Sequence, residues 1–167
     1  KDLVKGSIVA GIFTALAMIL AYVEVLLPPL FPAVPGIKMG LCNIVIVFLL
    51  YRKGMVSAIT VSLLRILLVS ILFGNVMMLL YSLAGVDLSV RGMFLKCRLN
   101  ILSVVGVSVT GGVTHNVGQI LMAMILLETA EIGYYLVVLT VTGIIAGIFV
   151  GLCSAALVKK VPKRFVF

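Results

Sequence analysis

Ionisable and amide side chains interrupt the long apolar runs of this sequence at a few positions, and chemistry is expected at these positions. Such side chains are costly within a lipid bilayer, so they are usually kept for binding, transport or proton movement. Their order along the predicted helices puts nearly all of them in the outer half of a membrane. The residues expected to contact a bound small molecule are Glu24, Lys38, Asn43, Arg65, Asn75, Tyr81, His115, Asn116 and Gln119.

The cationic residues of this set favour an anionic ligand. Arg65 lies near the middle of an apolar run and most needs a partner, for which Glu24 is the expected residue. Together with Lys38, Arg65 would suit a carboxylate or a phosphate group. His115 and Gln119 are four residues apart, so they share one face of a helix and can point into one cavity.

Some of these polar residues have a purely structural alternative. Asn43, Asn75 and Asn116 would serve equally well as hydrogen-bonding partners between helices, at about 0.6–2 kcal/mol per contact. Tyr134 and Tyr135 are typical of the aromatic belt at a membrane surface.

The motifs of several enzyme classes are absent from the sequence. It contains no GxxxxGK[ST] loop for nucleotide phosphates, no HExxH, no GxSxG and no DDxxD-like carboxylate pair for Mg²⁺. The cysteines lie far apart and form no CxxC or Cys/His cluster, which indicates small apolar residues in helices. We therefore expect no enzyme, with no catalytic residues, no metal and no cofactor.

The composition predicts an all-α integral membrane protein. Hydrophobic residues make up 63% of the chain and charged residues 11%, whereas a soluble domain is roughly half apolar and a quarter charged. At about 20 residues per crossing, 167 residues can span a bilayer about six times. The net charge of +8 would suggest nucleic acid in a soluble protein, but here the basic residues separate apolar runs. They are expected to set topology and to meet anionic lipid headgroups, with no nucleic-acid partner.

Six transmembrane helices in a single domain, residues 1–167, are predicted from the apolar runs. Their approximate bounds are 4–27, 38–51, 55–73, 76–95, 100–127 and 133–158. The proline-rich segment 28–38 is expected to fold back over the outer end of the bundle as a lid. Cytoplasmic N and C termini follow from the positive-inside rule. The basic residues then on the cytoplasmic side are Lys1, Lys5, Arg52, Lys53, Arg91, Lys96, Arg98, Lys159, Lys160, Lys163 and Arg164.

Small residues form stripes on the first and last predicted helices. Such stripes let helix backbones approach closely, either within a bundle or against a membrane partner. In helix 6 packing within the bundle is expected, whereas in helix 1 both uses remain open. The stripes are Gly6, Ala10, Thr14, Ala17 and Ala21 in helix 1, and Gly143, Gly147, Gly151 and Ala155 in helix 6.

Three blocks of the sequence resemble the Gx transporter family, which is often labelled heptaprenyl diphosphate synthase component I. They are residues 35–44 (PGIKMGLCNI), residues 64–85 with LRI, LFGN and YSLAG, and residues 106–119, which end in HNVGQ. The resemblance covers residues 5–158. It implies kinship with the substrate-binding S components of energy-coupling factor (ECF) transporters. These are six-helix proteins that take a small molecule from the outside and dock onto a membrane coupling protein driven by two ATPases.

By that resemblance, the docking face would be Ala10, Thr14, Ala17 and Ala21, although Thr14 departs from a pure alanine pattern. The expected function is substrate binding and uptake in the plasma membrane of a prokaryote, with energy supplied by the partner. One alternative is a non-catalytic membrane partner in isoprenoid or quinone metabolism or in electron transfer. Another is an ion or proton carrier.

Overall fold

The computed structural model describes residues 2–26, 40–73, 76–98 and 102–161, and these residues form a bundle of helices without strands. The all-helical class predicted from composition is therefore confirmed. In chain order the helices are α1 (Asp2–Leu26), α2 (Asn43–Arg52), α3 (Met55–Phe73), α4 (Val76–Arg98), α5 (Val104–Leu127), a short 3₁₀ helix (Ala130–Tyr134) and α6 (Tyr135–Lys160).

Helix α2 begins later than the predicted residue 38, because the chain turns immediately before it. Gly40 has φ +70°, a left-handed conformation that glycine adopts without steric cost. Its carbonyl accepts a hydrogen bond from the backbone N–H of Asn43 at 2.8 Å. A Cβ at position 40 would lie 3.1 Å from Nδ2 of Asn43. The helix therefore starts at Asn43, and residues 38 and 39 lie outside the described part of the chain.

The other shifted boundaries also have local causes. Ser103 is the N-cap of α5, and its hydroxyl accepts the N–H of Gly106 at 3.3 Å. This cap starts the helix at Val104, where the prediction was residue 100. At the other end Glu128 adopts φ 50° and ends α5. The 3₁₀ turn that follows delays α6 to Tyr135, two residues beyond the predicted start.

Helix α2 forms the centre of the bundle. Residues 45–50 are all buried, as expected for a helix that is apolar on every face. Helices α1, α3, α5 and α6 pack around it. With ten residues, α2 is about 15 Å long, only half the thickness of a hydrocarbon core. Its backbone ends must therefore be satisfied by protein groups rather than by lipid.

Helices α4, α5 and α6 pack side by side through glycines. A Cβ at Gly112 would lie 2.7 Å from the carbonyl oxygen of Gly143, and one at Gly147 would lie 2.7 Å from Cα of Val109. On the other side of α5, a Cβ at Gly118 would lie 2.6 Å from the carbonyl oxygen of Ala84. Backbones this close leave no room for larger residues. Packing within the bundle, as predicted for the stripe of helix 6, is confirmed.

The small-residue stripe of α1 also faces into the bundle, except for Gly6, which is exposed and has nothing within 4 Å of a Cβ at its position. Thr14 is 4% exposed and Ala17 is fully buried, while Ala10 and Ala21 pack half-buried against the same core. This core belongs largely to α2 and α3, the helices that α1 contacts. A separate partner could contact Thr14 and Ala17 only if α1 moved away from α2 and α3.

Helices α2 and α6 run in the same direction. Near the start of α2, the carbonyl of Ile44 accepts a hydrogen bond from Oγ of Ser154 at 3.4 Å. At the end of α2, Nη2 of Arg52 donates to the carbonyls of Val158 and Val161. These carbonyls belong to the last turn of α6 and the residue after it, where a helix leaves acceptors unpaired and favours a cation. The C-terminal ends of the two helices therefore meet.

Large apolar side chains cover the outside of the bundle. Among the described residues, four segments are long and apolar enough to cross a membrane: Gly6–Glu24, Met55–Leu72, Val104–Leu127 and Ala130–Lys160. An apolar surface of this extent is stable next to lipid and not in water. Strongly exposed aliphatic members are Ile8, Ile12, Ile19, Leu26, Val56, Ile71, Leu72, Val76, Ile125, Val137, Ile145 and Leu152.

Candidate binding site

Three of the predicted site residues meet where α2 begins. The N–H of Gly40 donates to Oε1 of Glu24 in the last turn of α1, at 2.5 Å. Nη1 of Arg65 on α3 donates to Sγ of Cys42 at 2.7 Å. The thiol of Cys42 lies 3.9 Å from Oδ1 of Asn43. We call Glu24, Gly40, Cys42, Asn43 and Arg65 the α1–α3 polar cluster.

The predicted ion pair between Glu24 and Arg65 does not form. The carboxylate of Glu24 accepts the N–H of Gly40, a donor that lies ahead of the first turn of α2 and needs an acceptor. The guanidinium of Arg65 instead donates to Sγ of Cys42, two residues after Gly40. Within the described ranges Arg65 has no carboxylate partner, because Asp87 and Arg91 form the only ion pair found there.

Four buried side-chain polar atoms have no hydrogen-bond partner within the described residues. Three of them belong to α1 and α3, namely Nε of Arg65, Oγ of Ser62 and Oγ1 of Thr14, and the fourth is Nε of Arg52 at the end of α2. Ser62 and Arg65 are three residues apart and share one side of α3. Thr14 belongs to α1, which packs against α3. More than about 90% of buried polar groups are paired in folded proteins. Orphaned atoms on neighbouring helices therefore indicate a place for a polar ligand or water.

Sequence reasoning missed Ser62 and Cys42. Ser62 is 1% exposed and Cys42 is 4% exposed. A serine in an apolar helix usually bonds to a carbonyl of its own helix, and an isolated cysteine usually behaves as a small apolar residue. The signal that could have found Ser62 is its spacing of three residues from Arg65.

The second group of predicted residues lies between α4, α5 and α6. The ring of His115 covers Gly85 of α4, where a Cβ would lie 2.7 Å from Nδ1 of the histidine. Nδ2 of Asn116 donates to the carbonyl of Leu139 on α6 at 2.5 Å. His115 thus faces α4 while Asn116 bridges to α6. For Asn116, the structural alternative of a bond between helices is confirmed.

The register of α4 and α5 places the last two described candidates. The helices are antiparallel, since Met93 contacts Gly111 while Ala84, earlier on α4, contacts Gly118. The half-buried residues that this register puts opposite each other are Tyr81 and Gln119. We call Tyr81, Gly85, His115, Asn116 and Gln119 the α4–α6 seam.

The predicted polar residues therefore fall into two groups made by different helices, and the single outer cavity expected from the sequence stays a prediction. Lys38 and Asn75 lie outside the described residues. Tyr134 is 82% exposed and Tyr135 is 51% exposed, as suits an interfacial belt.

Long apolar helices with a polar cluster enclosed between them define a multi-pass, all-helical membrane protein. The chain belongs to the family described as heptaprenyl diphosphate synthase component I, whose family model matches residues 13–157. This is the family that the sequence blocks indicated, and the matched region contains both the α1–α3 polar cluster and the α4–α6 seam. No curated protein and no solved structure matches the chain.

Proposed function

We propose that this protein is a six-span membrane subunit that binds a small anionic molecule beside Arg65, takes it from the outer face and depends on a partner for energy. The observation that carries the proposal is the guanidinium of Arg65, which lies within an apolar helix and has no carboxylate partner among the described residues. The role is that of an S component of an ECF transporter.

The chemistry of Arg65 favours an anion over a neutral ligand. A guanidinium is a fork of five N–H donors that matches a carboxylate or phosphate with two parallel bonds. Here one donor reaches the weak acceptor Sγ of Cys42, and the buried Nε has no acceptor in the part of the chain that the structure describes. Charged groups at such depth are normally paired. A bound anion would supply the missing charge, and the hydroxyl of Ser62 would add a donor from the same side of α3.

The helix directions support six spans with both ends in the cytoplasm. Besides the four long apolar segments of the described residues, α4 with its 23 residues is long enough for a fifth crossing. Helix α2 would supply the sixth although it is shorter than the hydrocarbon core, because protein rather than lipid encloses its residues 45–50. In that arrangement α2 and α6 both run inward, in agreement with their parallel packing. Their C-terminal ends carry basic residues, as the positive-inside rule requires. These residues are Arg52, Lys53, Lys159 and Lys160.

Mass spectrometry of the protein purified from native membranes tests the binding role. We expect the wild type and Lys160→Ala, a change of an exposed cation on α6, to retain the same anionic molecule. Arg65→Ala should weaken binding of this molecule about 10- to 150-fold and so lower its occupancy, which is the effect of losing a charge-assisted bond of about 1.5–3 kcal/mol. Arg65→Lys should restore part of it. Equal retention by Arg65→Ala would contradict the proposal.

A second candidate function is favoured by the family match. The family is named as a component of heptaprenyl diphosphate synthase, which would make this chain a non-catalytic membrane partner of a prenyltransferase. Purification of the tagged chain under mild conditions distinguishes the two. Recovery of a coupling protein with ATPases supports uptake, whereas recovery of a prenyltransferase in stoichiometric amounts supports the synthase role.

A further inference from the structure

Helix α4 carries an ion pair on its outer surface. Nε of Arg91 donates to Oδ1 of Asp87 at 2.9 Å, one helical turn away. The side chain of Arg91 is 70% exposed and that of Asp87 is 61% exposed. The pair is thus complete in itself but lies outside the bundle.

The register with α5 puts this pair at the depth of a membrane interior. Position 92 lies against Thr114, where a Cβ on Gly92 would be 3.3 Å from the methyl carbon, and Gly85 lies against His115. Thr114 and His115 are at the middle of the membrane-span candidate Val104–Leu127. The pair is therefore level with the centre of α5. The prediction that Arg91 lies at the cytoplasmic end of its helix is not supported by this packing.

A pair of charges facing hydrocarbon is unfavourable, and ionisable residues in spans nearly always face protein or a water-filled cavity. Leu88, next to Asp87 on α4, is apolar and 38% exposed, and Val76, three helical turns before Asp87 on the same face, is 71% exposed. Apolar neighbours disfavour a water-filled cavity. Another protein surface is therefore expected to cover this face.

We propose that two copies of this chain associate in the membrane through the face of α4 that carries Asp87 and Arg91. The argument is charge complementarity. The face presents one acid and one base a turn apart, so a copy related by two-fold symmetry presents the same two groups. Each Asp87 then meets the Arg91 of the other copy, and the interface holds two acids and two bases with no net charge.

Charge reversal in differently tagged copies tests the pairing. In lipid nanodiscs, Asp87→Arg carries only basic groups on this face and Arg91→Asp carries only acidic ones. We expect copurification of like copies to fall at least tenfold for either variant. Mixing the two variants should restore it. Glu131→Arg and Lys160→Asp, which reverse exposed charges at helix ends, should copurify as the wild type does.

A milder variant keeps the proposal testable if charge reversal impairs folding. Leu88→Cys should form a disulfide-linked dimer on oxidation with copper phenanthroline in native membranes. The wild type, which has its own cysteines, and Val137→Cys on the exposed face of α6 should not. A wild-type chain that is monomeric in the membrane, or Leu88→Cys that forms no more dimer than Val137→Cys, would overturn the proposal.

Discussion

The side of α3 that carries Ser62 and Arg65 combines two features that a stable apolar core normally avoids. A buried hydroxyl and a buried guanidinium nitrogen both lack a partner in the described part of the chain. Each unsatisfied group costs about 1–3 kcal/mol. Such a cost is typical of a site that is completed by a ligand, because function rather than stability then selects the residue.

Removal of the Ser62 hydroxyl should therefore stabilise the ligand-free protein. Ser62→Ala is expected to raise the free energy of unfolding by about 1 kcal/mol, since an unpaired polar group is lost. The same variant should retain less of the bound anion. Ser154→Ala is the matched control, because the Ser154 hydroxyl is also buried but donates to Ile44. That variant should be destabilised. Thermal unfolding in detergent measures both, and a loss of stability in Ser62→Ala would contradict the interpretation.

Gly85 should tolerate no side chain while His115 lies on it. The Cβ in Gly85→Ala would lie 2.7 Å from the ring of His115 and 3.0 Å from the backbone carbonyl oxygen of His115. We expect a loss of about 1–3 kcal/mol in unfolding free energy, as in other overpacked sites. Replacing His115 with alanine in the same chain should restore part of the loss. Gly11→Ala, which meets nothing within 4 Å, should be neutral or stabilising. A neutral Gly85→Ala would contradict the described packing.

At the scale of elements, the contact between Arg52 and the end of α6 joins the central helix to the last one. Arg52→Ala leaves the carbonyls of Val158 and Val161 without this donor. We expect a loss of about 1.5–3 kcal/mol and faster hydrogen exchange in the last turn of α6. Lys53→Ala, which changes the adjacent cation, should show neither effect. Equal exchange rates in the two variants would show that Arg52 does not cap α6.

Element positions followed well from the sequence where a turn residue is visible. Helix α3 spans the predicted residues 55–73, and its start follows from Gly54, which has φ +93° and separates it from α2. The turn at Gly40 was missed because this glycine falls within the stretch assigned to the second helix, residues 38–51. The contacts between side chains of different helices could not be predicted from the sequence either. Periodicity shows which residues share a face, but it does not show that Arg65 meets Cys42 rather than Glu24.

At the scale of the whole molecule, the parallel packing of α2 and α6 constrains the topology. In a bundle whose successive crossings alternate in direction, two parallel helices must be an even number of crossings apart. Helix α6 is the fourth α-helix after α2, which meets this condition. Six crossings satisfy this condition and gather the basic ends of both helices on one side. The acidic turn with Glu128 and Glu131 then lies on the other side, so the charge asymmetry and the helix directions agree.

Cysteine labelling in intact cells tests that topology. Glu131→Cys introduces an exposed thiol before α6, and Lys160→Cys introduces one at its C-terminal end. With both termini in the cytoplasm, a membrane-impermeant maleimide should label Glu131→Cys in intact cells and Lys160→Cys only after the membrane is permeabilised. The wild type gives the background from its own cysteines. Labelling of Lys160→Cys alone in intact cells would show the opposite orientation. Labelling of both variants in intact cells would contradict a crossing by α6. Since Arg52 contacts the same end of α6, the result also assigns the side on which α2 ends.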